Sequence, residues 1–81
     1  MYAIKRERTG RILNATFDHE ISVLESFKTK QEAEANIKVR RKALQDDMPF
    51  NPTFADGENE FTMRVTDPDY NTVSRFYIED E

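Results

Sequence analysis

The chain of 81 residues has no cysteine, one histidine, two glycines and no long apolar run. The missing cysteine excludes disulfides, thiolate metal sites and a cysteine nucleophile. The glycines stand in Thr9-Gly10-Arg11 and Asp56-Gly57-Glu58, too few and too scattered for a phosphate-cradling loop. His19 lies between Asp18 and Glu20 in a polar stretch with no convergent partner for zinc binding or acid–base work. Ser22, Ser26 and Ser74 lack the strand–turn–helix context of a nucleophile elbow. The expectation is therefore a protein that is not an enzyme and has no catalytic residue, metal site or cofactor. No apolar stretch approaches the length of a bilayer span, and MYAIKRERTG has no apolar signal core. The expected setting is cytoplasmic, away from membranes.

What is present is enough for one modest core, so residues 1–81 are read as a single domain. Hydrophobic residues make up 37% of the chain and charged residues 35%, with a mean hydropathy of -0.83. The apolar residues recur periodically, which distinguishes a folded chain from a disordered one. Charge is lopsided. Residues 1–42 hold ten Lys/Arg and six Asp/Glu, a balance of +4, whereas residues 43–81 hold two Arg and ten Asp/Glu, a balance of -8. Such asymmetry points either to charged partners or to two halves that neutralise each other across the fold.

Periodicity divides the chain as β-β-β-α-loop-β-β. Tyr2 to Phe17 reads as a hairpin turning at Arg8-Thr9-Gly10-Arg11, a register that puts Tyr2, Ile4, Leu13, Ala15 and Phe17 on one face. Ile21 to Phe27 alternates as a third strand, with a helical reading through Ile21, Leu24 and Phe27 as the alternative. Thr29 and Glu32 form a capping box, and a helix follows from Gln31 to Gln45 until Pro49 ends it. On its wheel Ala33, Ile37, Leu44 and Met48 make the core stripe. Lys38, Arg41 and Lys42 fall on the opposite face, and Arg40 points to the edge of the stripe. Asp46 to Asn59 reads as a long loop with one helical turn over 52–56, and Glu60 to Asp80 as a second hairpin looping at Pro68-Asp69-Tyr70-Asn71. The expected core is Leu13, Phe17, Ile37, Leu44, Phe61, Met63, Phe76 and Ile78. The class is α+β, an antiparallel sheet with one amphipathic helix packed on one face.

Three kinds of binding remain: a plain protein–protein adaptor or inhibitor, an acidic surface that imitates phosphates and occupies a nucleic-acid-binding protein, and direct nucleic-acid binding. Phe50 and Phe54 in the over-long loop either plug an open end of the core or form an exposed aromatic contact site, and Asp67, Asp69 and Tyr70 at the second turn are residues the fold does not need. Large aromatics in such places suit a partner-binding surface. The acids from Asp46 to Glu81 would steer a basic partner toward it. The alternative is direct nucleic-acid binding through Arg6, Arg8 and Arg11 of the first hairpin and Lys38, Arg41 and Lys42 of the helix. That would need a contiguous cationic surface, and no known nucleic-acid-binding signature accompanies these residues.

Tyr2-Ala3-Ile4, Thr9-Gly10-Arg11 and the run from Ser26 to Glu34, SFKTKQEAE, resemble a hairpin–strand–helix pattern of small phage accessory proteins. The resemblance covers residues 2–37 and carries no functional residue with it. It implies an accessory protein acting in the host cytoplasm by binding and inhibiting a host protein, such as a defence or nucleic-acid enzyme. The expected partner is accordingly a protein that itself binds nucleic acid, and the oligomeric state is left open.

Overall fold

The structure, a computed structural model, describes residues 1–81 with the side chain of Phe17 excepted. Among the described residues five strands and one helix follow in the order β1 (Tyr2–Ile12), β2 (Ala15–Phe27), α1 (Lys30–Asp47), β3 (Thr53–Gly57), β4 (Glu60–Thr66) and β5 (Tyr70–Asp80). The strands form one antiparallel sheet in the spatial order β2-β1-β5-β4-β3. The helix packs on one face, so the α+β class and two-layer architecture are those expected. The five strands are distributed differently: two precede the helix and three follow it.

That redistribution has two local causes. Gly10 does not turn the chain; β1 runs on to Ile12, and the turn is Leu13-Asn14. Gly10 sits at φ +132° where β1 meets β5, and a Cβ there would lie 2.2 Å from the Asn71 carbonyl oxygen. The close approach of two backbones explains the glycine. Asp18-His19-Glu20, read as a turn, continues β2 because bulges absorb the mismatch. The β1–β2 register shifts between Ile4 and Lys5 and between Arg8 and Gly10, each time with an extra residue on β2. The hairpin register expected for residues 2–17 is thereby overturned, and Leu13 leaves the core for the turn.

The loop after the helix is shorter than expected. Instead of a helical turn over 52–56, Pro52 leads into β3, which pairs with β4 from Thr53↔Arg64 to Gly57↔Glu60. The second hairpin turns more tightly, at Pro68-Asp69, with Asp67 and Tyr70 bonded to each other through both backbone groups. Its register, Phe61↔Phe76 and Met63↔Ser74, is displaced by two residues from the expected pairing. A shift of two preserves parity, so Phe61, Met63, Val65, Phe76 and Ile78 still share the helix-facing side.

The helix opens as its sequence dictates. The Thr29 hydroxyl accepts from the Glu32 amide at 3.2 Å and donates to the Glu32 carboxylate at 2.9 Å. Ala33 and Ile37 are buried against Ile4, Phe61, Met63, Val65 and Phe76, while Leu44, Met48 and Ile78 close the margin of this core. The rings of Phe61 and Phe76, directly paired across the strands, stack at 4.6 Å. The expected core thus holds for Ile37, Phe61, Met63 and Phe76, and at its margin for Leu44 and Ile78. Leu13 is 66% exposed, and the Phe17 side chain lies outside the described residues. The far face of the sheet has no covering layer and leaves Ile21 and Val23 more than half exposed.

Gly10→Ala combines a left-handed backbone with a clash against β5, so it is expected to lower stability by more than about 1 kcal/mol. Gly57 has ordinary φ and faces only the flexible Glu60 side chain, so Gly57→Ala should cost less than about 1 kcal/mol. Denaturant unfolding of both variants checks the pair; equal effects would show that the β1–β5 approach is looser than described.

Candidate binding surface

Four of the five residues singled out for partner binding meet at one end of the sheet. The last pair of the β1–β5 ladder is Ile12↔Tyr70, and just beyond it two turns lie side by side. The Leu13 amide donates to the Asp69 carbonyl at 2.6 Å, and the Arg11 guanidinium donates to the Pro68 carbonyl at 3.2 Å. Asp67 accepts the Asp69 amide at 2.9 Å, which fixes the β4–β5 turn. Phe50, arriving from the end of the helix, stacks on Tyr70 with ring centroids 5.5 Å apart and planes 17° from parallel. Phe50 is 46% exposed and Leu13, in the adjoining turn, is 66% exposed, so both lie open at this tip of the sheet.

The backbone under this tip is strained. Leu13 has φ 53°, Phe50 φ 73° and Asn51 φ 48°. Asparagine tolerates the left-handed region, but leucine and phenylalanine occupy it at a cost. The acids are also set against local stability. Asp46 and Asp47 end the helix, where the dipole favours cations, and no basic residue stands in the last turn. Lys42 offsets one of them by pairing with Asp46 at 3.1 Å.

Tyr70 and Phe54 differ from expectation. Tyr70 is the first residue of β5 rather than a bare loop tip, and it is half-buried against the core. Phe54 does not join the tip. It lies on β3 between the Phe61 ring at 6.2 Å and the Arg41 guanidinium, whose carbon sits 4.3 Å above the Phe54 ring centroid. It seals the core beneath the helix. Leu13 was the residue of this surface that sequence patterning misplaced; the Asn14 beside it was the available turn signal.

The alternative cationic residues are dispersed. Arg6 and Arg8 reach the single Glu20 carboxylate at 3.5 and 2.9 Å from the helix-facing side of the sheet. Arg11 lies two and four positions from Thr9 and Glu7, hence on the far face. Arg41 grips both oxygens of Asp56 on β3 at 2.9 and 3.0 Å, and Arg40 on the other flank of the helix holds Glu25 of β2 at 2.7 Å. Lys38 and Lys42 are exposed on the helix. The run Lys38-Val39-Arg40-Arg41-Lys42 thus supplies two clamps that fasten the helix across the sheet, and the six alternative residues point to three different surfaces.

Among the described residues no three His, Asp or Glu are grouped to hold a metal ion, and no helix is long and apolar enough to cross a membrane. No protein-family model matches the chain, and no curated protein or solved structure matches it significantly.

The bidentate hydrogen bond from Arg41 holds the Asp56 carboxyl below its ordinary pKa of 3.8. A carboxyl with a depressed folded-state pKa adds stability above its unfolded value and loses it as pH falls through the folded one. Asp56→Asn should therefore lower the urea midpoint at pH 7, with the difference from the parent closing below the ordinary carboxylate range. A difference that persisted undiminished in strong acid would place the effect outside this clamp.

Proposed function

We propose that this chain is a small binding protein that associates stoichiometrically with another protein through its aromatic and acidic end. The observation that carries the reading is Phe50. Its backbone lies in a left-handed conformation that glycine would adopt without strain, yet its ring is nearly half exposed and stacked on Tyr70. A fold selected for stability alone has little use for an aromatic there, whereas an interface does. Leu13 is exposed in the adjoining turn, Asp67 and Asp69 belong to the turn beside it, and Asp46 and Asp47 precede Phe50 at the end of the helix.

Such a surface suits a partner with a basic rim and an apolar pocket, and complementary charge would speed and orient the encounter. Proteins that bind nucleic acid carry such surfaces. Together with the phage-like pattern of residues 2–37, this favours an inhibitor that occupies a host nucleic-acid-binding or defence protein. Direct binding of nucleic acid is less well supported, because the arginines it would need are engaged with protein acceptors on separate faces.

Phe50 and Leu13 are cleaner probes than Tyr70, whose half-buried ring also supports the core. Phe50→Ala and Leu13→Ala should each shift stability by no more than about 1 kcal/mol. Each should weaken capture of the partner retained by the immobilised parent chain from native-host lysate by at least about fivefold. Undiminished capture by both variants would remove the tip from the interface. A steep salt-dependent retardation of DNA by the parent chain at physiological ionic strength would favour the nucleic-acid reading instead.

A further inference from the structure

We propose that the groove between α1 and the β1–β2 side of the sheet is a second binding site, for a carboxylate carried on an apolar chain. Leu44 and Met48 from the helix, Leu24 from the β2 bulge and Phe76 from the sheet line an apolar groove of about 420 Å³. That volume falls within the range of small-ligand pockets, and the lining has their character, mostly apolar with a few polar groups.

The polar groups define the ligand. Arg6 lines the groove from β1, and Arg40 and Asp47 line it from the helix. Arg40 has its own acceptors in Asn36 and Glu25, both at 2.7 Å. Arg6 is less well served. Among the described residues its carboxylate partner is Glu20 at 3.5 Å, the limit of a useful hydrogen bond, and Glu20 lies closer to Arg8, at 2.9 Å. The Arg6 Nε is buried and has no hydrogen-bond acceptor among the described residues. Arg6 lines the groove while its guanidinium is only weakly satisfied by Glu20, so an anionic acceptor suits it, and a carboxylate matches its fork geometry. The apolar lining requires that the carboxylate come with a hydrocarbon chain.

The test uses octanoate and, as the uncharged control, octanol, titrated into isotopically labelled parent chain and followed by NMR. Octanoate should produce saturable shifts in the Leu24, Leu44 and Met48 methyl signals and in the Arg6 side-chain N–H, binding at least about tenfold more tightly than octanol. Arg6→Gln should erase that preference, and Phe50→Ala should leave it intact, which separates this site from the tip. The comparison on the parent chain stands even if the Arg6 variant does not fold. Equal affinity for octanoate and octanol, shifts centred on Phe50 and Leu13, or no saturation at millimolar ligand would each overturn the proposal.

Discussion

The first and last strands of the chain lie against each other along their whole length, and the remaining structure depends on that contact. The β1–β5 ladder pairs residues without interruption from Tyr2↔Asp80 to Ile12↔Tyr70. It places both strands in the middle of the sheet, so each hairpin can add outward only: β2 beyond β1, and β4 with β3 beyond β5. Ion pairs between Lys5 and the acids Glu79 and Glu81 fasten one end of the ladder, and the hydrogen bond to Glu79 raises the Lys5 pKa. Closing the chain ends together is entropically demanding and favours slow, non-local folding. In return, regularity of this one ladder fixes the position of every other element.

The same ladder creates the candidate surface. Because it ends at Ile12↔Tyr70, the turns at Leu13-Asn14 and Pro68-Asp69 must emerge side by side, although more than fifty positions separate them in the chain. The helix contributes the third component. Its clamps, Arg40 to Glu25 on one flank and Arg41 to Asp56 on the other, aim its C-terminus so that Phe50 can reach Tyr70. Much of the positive charge in the first half of the chain is thereby spent inside the molecule. Lys5 and Arg41 take acids from the second half, and Arg6, Arg8 and Arg40 take acids from their own. The acids grouped at the tip therefore sit beside few cations, chiefly Arg11 and Lys42.

Sequence patterning captured what depends on parity and on local chemistry. The helix, its Thr29 cap and its inward Ala33 and Ile37 followed from spacing and capping alone. So did the shared face of Phe61, Met63, Val65, Phe76 and Ile78, which survived a two-residue error in register because the strand period is two. It missed what depends on distant backbone. Gly10 resembled a turn residue because nothing nearby in the chain reveals that Asn71 and Thr72 press on it. Asp18-His19-Glu20 resembled a turn because a bulged edge strand carries polar residues as readily as a loop does. Phe50, Tyr70, Asp67 and Asp69 were legible as superfluous to the core, but not as neighbours. Only the folded ladder brings them together, and it was this same ladder that exposed Leu13 beside them.

Where a sequence departs from the local rules of folding, the departures are informative when they coincide. Here three occur within one small region. Leu13 and Phe50 occupy left-handed backbone, and the helix ends in two aspartates without a cation in its last turn. None of these is needed to close the core, which is complete with Ile4, Ile37, Phe61, Met63, Val65 and Phe76. All three lie where the two turns and the C-terminal end of the helix meet. Strained backbone of this kind persists only where the surroundings over-determine it, and the paired turns and the Phe50–Tyr70 stack supply that support. Backbone strain is therefore concentrated at the end of the sheet where Phe50 stacks on Tyr70, and it falls on residues outside the core.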